Sequence, residues 1–410
     1  MLSQETIEAL SDILVKRVEE VNTYTLKTIA KQLLRIKNQE DLRPTEINKL
    51  VNLLKYGGDY NKIEKKLAQM SKLNQKDIDK IFKNTAKKNQ YFAKKYYDYR
   101  NIEFIPFEQN TALKQQVEAI ADVTKNTYIN IGNTRAIGFA KKFGKKYIFV
   151  GLKEAYTDAI DRGIIALQQG QTTLDEEIRK IINEYSSSGL RYISFDSGYH
   201  RRLDSQVRMN LMDGLAQVTR EVNLTFGEEF DADGVEIDVH YNPAPDHAEV
   251  QGRQFTNEEF YKFQNDMDAH DVKGKFFSHE HNGHDRRAIG QYNCMHNVYP
   301  IIVGVDSPVY TDKQLRQIIN NNKKGFELNG KHYTNYDGTQ MQRQIETEIR
   351  KAKDKQIMAV ETNNVKDIEK AQKRITILNR KYKELSEISG LKPHANRTRV
   401  SGYRRVSTRK

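Results

Sequence analysis

The sequence predicts an α+β fold: a long helical N-terminal region, a compact mixed α+β domain, a long C-terminal helix and a basic tail. Three observations carry that reading. Glycine is missing from the first 56 residues and only Pro44 and Pro106 interrupt the first 240, so backbone breaks are scarce there. Apolar residues in this stretch recur every three or four positions, the spacing of one helical face. From about residue 190, short runs rich in β-branched and aromatic residues take over, separated by turn-forming text.

The elements follow in order. Ile7, Leu10, Leu14, Val18 and Val21 mark a first helical stripe, resumed after a short break by Ile29, Leu33 and Ile36. Leu42 to Tyr56 reads as a second helix, with Pro44 near its start and Gly57-Gly58 as its stop. Asn61 and Glu64 resemble a capping box for a third. Lys76 to Arg100 interleaves Lys with Tyr. We read this as a packed aromatic edge beside a solvated lysine face; the alternative is a platform on which nucleic-acid bases stack. Residues 112–187 continue helical, broken near 144–151, where K-K-Y-I-F-V-G-L fits either a short strand or a buried helical turn. R-Y-I-S-F (191–195), V-E-I-D-V-H-Y (235–241) and V-Y-P-I-I-V (298–303) read as strands. Val207, Leu211, Leu215, Val218 and Val222 define a helix between the first two. After Gly338 the helical pattern returns as far as Ser389, with a break near Asn363. The expected organisation is a helical arm over 1–189, a compact α+β domain over 190–337, a helical segment over 338–389 and a basic disordered tail over 390–410.

Composition narrows the function classes. With 37% hydrophobic and 30% charged residues the core is lean and the solvated faces are wide. A single cysteine excludes an internal disulfide. No apolar run approaches the ~18 residues of a membrane span, so a soluble protein made in the cytoplasm, without a membrane partner, is expected. Of the net charge of +12, seven cations stand in residues 391–410 with no acid among them: Lys392, Arg397, Arg399, Arg404, Arg405, Arg409 and Lys410. So basic a tail, with few apolar anchors, is expected to be disordered and either to bind phosphates of DNA or an acidic partner, or to act as a solubilising end.

Seven of the ten histidines lie between His240 and His296, together with the only cysteine. His279-x-His281 and Cys294-x-His296 would together offer one thiolate and three imidazoles, a set that suits tetrahedral zinc. Neither pair has the spacing of the common zinc modules, so the expectation is no metal and no cofactor. Asp246-His247 followed by Asn293 and His296 loosely resembles the histidine–asparagine–histidine order of small ββα nucleases. In those, one histidine activates a water and another helps hold a divalent ion; the spacing here is open for so compact a site. Cys294 and His296 stand too close in the chain for a nucleophile–base pair, and no third orienting group is evident. No phosphate-binding loop and no dinucleotide fingerprint occur, which disfavours ATP-driven motors and nicotinamide enzymes. Glu346-x-Glu348 lies in helical text and reads as a solvated face.

V-H-Y-N-P-A-P-D-H-A-E-V-Q-G-R-Q-F (239–255), followed by Y-N-C-M-H-N-V-Y-P-I-I-V-G (292–304), resembles the head-morphogenesis module of tailed bacteriophages, typified by the F protein of phage Mu. Its motif residues here are His247, Gly252, Phe255, Asn293, Cys294 and His296. The wider chain resembles the phage minor capsid protein 2 family through Tyr192 to Phe195, Gly198 to Arg202, the helix opening at Arg208, and Tyr336 to Lys351. The resemblance implies a non-enzymatic minor structural protein of the phage head, made in the bacterial cytoplasm and acting in head assembly. Its implied partners are the portal, scaffold or major capsid protein, with DNA contacted through the tail. The motif then shapes a fold rather than a catalytic site, and the Ile7–Leu10–Leu14–Val18 stripe is either a docking face or internal core. The alternative, a metal-dependent nuclease, would bring Asp246, His247 and His296 together in space; a capsid component would leave the histidines scattered beside an extended arm.

Overall fold

The structure, a computed structural model, describes residues 4–39, 44–134, 136–194, 197–240, 242–290, 294 and 296–406. The N-terminal stripes fold as α1 (Gln4–Lys37), α2 (Pro44–Tyr56), α3 (Asp59–Arg100) and α4 (Thr111–Gly132). The break expected after Val21 is absent. Thr25 and Thr28 stay helical by donating their hydroxyls back to the carbonyls of Val21 and Tyr24. At the start of α3 no side chain caps the helix; Gly58, at φ 86°, makes the turn instead, so the Asn61–Glu64 capping box does not form. The ambiguous 144–151 stretch is a strand: β1 (Ile137–Phe143) pairs with β2 (Lys146–Gly151). Then come α5 (Leu152–Gln168), α6 (Gln171–Ser188), β3 (Arg191–Ile193), β4 (His200–Arg202) and α7 (Leu203–Glu229). The strands form an antiparallel sheet in the order β2-β1-β3-β4.

An apolar core runs through these helices and through β1 and β2, from Ile7 to Phe230, with Met358 joining it. Ile7, Leu14 and Val18 are no more than 2% exposed. That stripe is therefore internal and not a docking face, and the described residues of 1–189 are not an extended arm. The boundary expected at 190 falls inside this core, because the sheet and α7 complete it. Tyr97, near the end of the Lys/Tyr-rich stretch, is buried edge-on against Phe104 and Phe226 and donates its hydroxyl to Glu229. The aromatic edge of that stretch is packed at this position, while Tyr91 remains exposed.

The compact α+β unit follows: β5 (Gly234–Ile237), β6 (Gln254–Thr256), α8 (Asn257–Gln264), β7 (Ala269–His270), β8 (Phe276–Phe277), β9 (Glu280–His281), β10 (His284–Asp285) and β11 (Val298–Ile301). Its central sheet has the order β11-β5-β6. Val235, Ile237, Phe255, Phe263, Phe277 and Val298 fill a separate small core against it. Next, α9 (Asp312–Lys324) and the hairpin of β12 (Phe326–Leu328) and β13 (Lys331–Tyr333) lead to α10 (Asn335–Glu361).

The C-terminal helical segment breaks at Asn363, as its pattern suggests: α10 and α11 (Val365–Ser389) form a hairpin that turns there with φ 52°. Ile349, Ala352, Ile375 and Leu378 pack between the two. Glu346 is not on a solvated face: it is 2% exposed and accepts a 2.6 Å bond from the Tyr382 hydroxyl. Where α1, α7 and α10 meet, ions are buried together. Arg202 pairs with Asp204 at 3.2 Å and Asp354 at 3.0 Å, and Arg350 reaches Asp204 at 3.2 Å.

The tail is packed as far as residue 406, not disordered from 390. Carbonyl oxygens of Arg397, Thr398 and Ser401 accept bonds from Arg350, Lys353 and Thr23, and Val400 is buried. Asn396 donates to Asp12, and Arg397 pairs with Glu8 at 2.7 Å. Among the described residues no helix is long and apolar enough to cross a membrane.

Candidate functional site

The site follows from strand register. β5 and β11 are antiparallel, with Ile237 opposite Val298. The residues that leave β5 and those that enter β11 therefore meet at one end of the sheet. Asp238 clasps the junction: it accepts from the Asn297 amide at 3.0 Å, while its own N–H donates to the Asn297 carbonyl. Beyond it the chain turns back on itself, with the N–H groups of Val250 and Gln251 bonded to the His247 carbonyl, and returns through Gly252. Gly252 sits at φ 67°, where a Cβ would lie 2.4 Å from Leu315; only glycine fits. Phe255 is then buried on β6 against Phe263 and Phe277.

This places His247, Cys294 and His296 together, each no more than 4% exposed. The Cys294 sulfur lies 3.5 Å from Nδ1 of His247 and 3.5 Å from Nδ1 of His296. His247 Nε2 bonds the Arg287 carbonyl at 2.7 Å, and His296 Nε2 bonds Oε1 of Gln251 at 3.2 Å. His240 packs edge-on against His296, ring centres 4.3 Å apart. Burial pushes the His296 imidazole down to about 2 and lowers that of His247, so both rings are neutral at pH 7. Burial also raises the Cys294 thiol. Asn293 lies outside the described residues.

The four-ligand set read from local spacing divides. His279 and His281 stand on or beside the β9–β10 hairpin, where His279 bonds Asp268 at 2.9 Å and groups with Glu280 and Asp285. Cys294 and His296 gather His247 instead. The convergence expected of the nuclease is present in part: the His247 and His296 ring centres are 5.2 Å apart, and an Asp246 oxygen is 3.9 Å from His247 Nε2. The carboxylate such a site needs is occupied, however. Burial alone would raise Asp246, but Arg287 grips both its oxygens at 2.7 and 2.9 Å and holds it at about 2. Arg286 fastens the same loop by donating to the Asp246 and Ser278 carbonyls.

His240, Gln251 and Arg287 were not singled out in the sequence. The signal that reveals them is the pairing of the two strands: once 235–241 and 298–303 are neighbours, everything just outside them is shared. A cleft of about 670 Å³ opens beside the cluster, between this junction, α1, α10 and the tail. Arg287, Arg343, Lys392 and Arg397 line it, opposed by Glu8. Of the tail cations, Arg397 is taken by Glu8, whereas Lys392, Arg399, Arg404 and Arg405 are exposed. Arg409 and Lys410 lie outside the described residues.

No curated protein and no solved structure matches the chain significantly. The family model described as phage minor capsid protein 2 matches residues 2–386, nearly the whole chain and both halves of the junction just described. The chain therefore belongs to the phage minor capsid protein 2 family, structural components of the phage particle.

Proposed function

We propose that the protein is a minor structural component of a tailed-phage head, built into the procapsid near the portal against scaffold or major capsid protein, with its C-terminal cations facing packaged DNA. The observation that carries this reading is the family match over residues 2–386. The burial of the motif residues agrees with it, since His247, Gly252 and Phe255 are used to close a fold. Quantitative mass spectrometry of purified procapsids and filled heads tests it. A few copies per head, and defective heads when the gene is deleted, are expected; normal infectious heads without the protein would overturn the proposal.

The DNA contact has its own test. Arg399, Arg404 and Arg405 changed together to Gln should flatten the salt dependence of DNA binding, reducing the log–log slope by about 2–3. Substitution in place is the proper form, because truncation would also strip the bonds that tie the tail to α1 and α10. An unchanged slope would move the contact elsewhere. The meeting of Asp246, His247 and His296 favours one second reading, a metal-assisted nuclease. If His247→Ala leaves heads assembled and filled but blocks a cleavage step, that reading replaces the structural one.

A further inference from the structure

We infer that His247, Cys294 and His296 form a binding site for one thiophilic divalent cation, zinc being the ion that the donor set fits. The first ground is geometry. A tetrahedral zinc with ordinary bond lengths of about 2.3 Å to sulfur and about 2.1 Å to nitrogen has sulfur-to-nitrogen edges of about 3.6 Å. Both sulfur-to-Nδ1 distances here are 3.5 Å, and the three ligand atoms lie within 4.8 Å of one another.

The second ground is a shortage of protons. The Arg287 carbonyl can only accept, so His247 Nε2 carries that ring's hydrogen. Gln251 Oε1 already accepts the His240 backbone N–H at 2.8 Å, which identifies it as the oxygen, so His296 Nε2 is likewise a donor. Each Nδ1 is then a bare lone pair, and both face the same sulfur. A thiol has a single hydrogen and can serve only one of them. The other remains a buried acceptor without a donor among the described residues, an arrangement that folded proteins avoid. A cation removes the conflict. Three metal–ligand bonds form, the Cys294 S–H bond breaks, and its proton leaves to solvent.

The surroundings have the form that metal ligands need. Each imidazole gives its second N–H to an oxygen that fixes its tautomer and orientation, one a backbone carbonyl and the other a side-chain amide. One thiolate and two imidazoles select zinc over magnesium or calcium. All three side chains line the cleft, so a fourth position is open to water or a small anion, which Arg287, Arg343 and Lys392 would favour. The expectation of no metal rested on spacing within one segment; the ligands come from two.

The full-length chain, produced with zinc in the medium, is assayed by elemental analysis, then stripped with a chelator and titrated with cobalt(II). One zinc per chain is expected, and one cobalt per chain with a thiolate-to-cobalt charge-transfer band. Cys294 is the only cysteine, so that band can arise nowhere else. Cys294→Ala and His247→Ala should lose the metal, while His279→Ala with His281→Ala should retain it. A wild-type chain that takes up neither ion overturns the proposal, as does a folded Cys294→Ala chain with full metal content. If neither ligand variant folds, the wild-type cobalt band decides alone: its absence overturns the site and its presence supports it.

Discussion

Two buried polar clusters in this molecule are closed in different ways. In the helical body, Arg202 and Arg350 face Asp204 and Asp354, so each buried charge meets an opposite one within the chain. At the end of the small sheet, His247, Cys294 and His296 bring acceptors together with too few hydrogens between them. The first cluster is balanced by its own residues; the second is balanced by a guest. Breaking the first should cost folding outright, whereas breaking the second should cost little until the guest is present.

The largest effect is expected at Arg202. Arg202→Ala leaves Asp354, 0% exposed in its side chain, without its arginine, and should cost about 3–5 kcal/mol in chemical denaturation. A loss under about 1 kcal/mol would mean that water reaches the pair and that it is not buried in solution.

A pH effect of the same cluster comes next. Burial, with Asp204 nearby, raises the Glu19 carboxyl from 4.5 to about 8 despite the opposing Arg350. Between those values the folded chain keeps a proton that the unfolded chain has lost. Stability should therefore fall as pH rises from about 4.5 to about 8, and Asp354, raised from 3.8 to about 6, adds a fall of the same sign. Glu19→Gln should flatten that decline. Thermal melts across the window that keep their slope in the variant would assign it to another group.

The smallest effects are expected at the second cluster. In chelator-treated protein Cys294→Ala should cost only about 1–2 kcal/mol, a small apolar truncation. His279→Ala on the exposed hairpin should stay within about 0.5 kcal/mol. With zinc added, the wild type and His279→Ala should gain stability, and Cys294→Ala should not. Equal melting temperatures for wild type and Cys294→Ala at saturating zinc would erase the distinction between the clusters.

Local pattern made the long elements legible. The Ile7–Val21 stripe, the Val207–Val222 face and the break near Asn363 are each written within a few turns of chain, and each is found as an element. What stayed hidden was whatever depends on distant partners. The stripe on α1 looks the same whether it docks outward or lies inside, and only the helices packed on α1 (α3, α5, α7 and α10) decide that it is core. The tail looked disordered because its own apolar content is slight; its backbone carbonyls, which a sequence does not display, hold it to Thr23, Arg350 and Lys353. At the site, His247 and Cys294 belong to one motif, and Cys294 also to a ligand-like spacing. The register of β5 on β11, not either signal, makes them neighbours.

The contacts between the tail and α1 also have a consequence in time. Glu8, Asp12 and Thr23 find their partners in residues 394–401, almost the whole chain later. At ribosomal speeds of about 5–20 residues per second, α1 waits roughly 20–75 s for that clasp. During that interval the polar side of α1 is held only by earlier partners, such as Arg208 on Asp12 and Asp77 on Arg17. The clasp is thus the last set of contacts that α1 gains, and a nascent chain stalled before residue 394 lacks it.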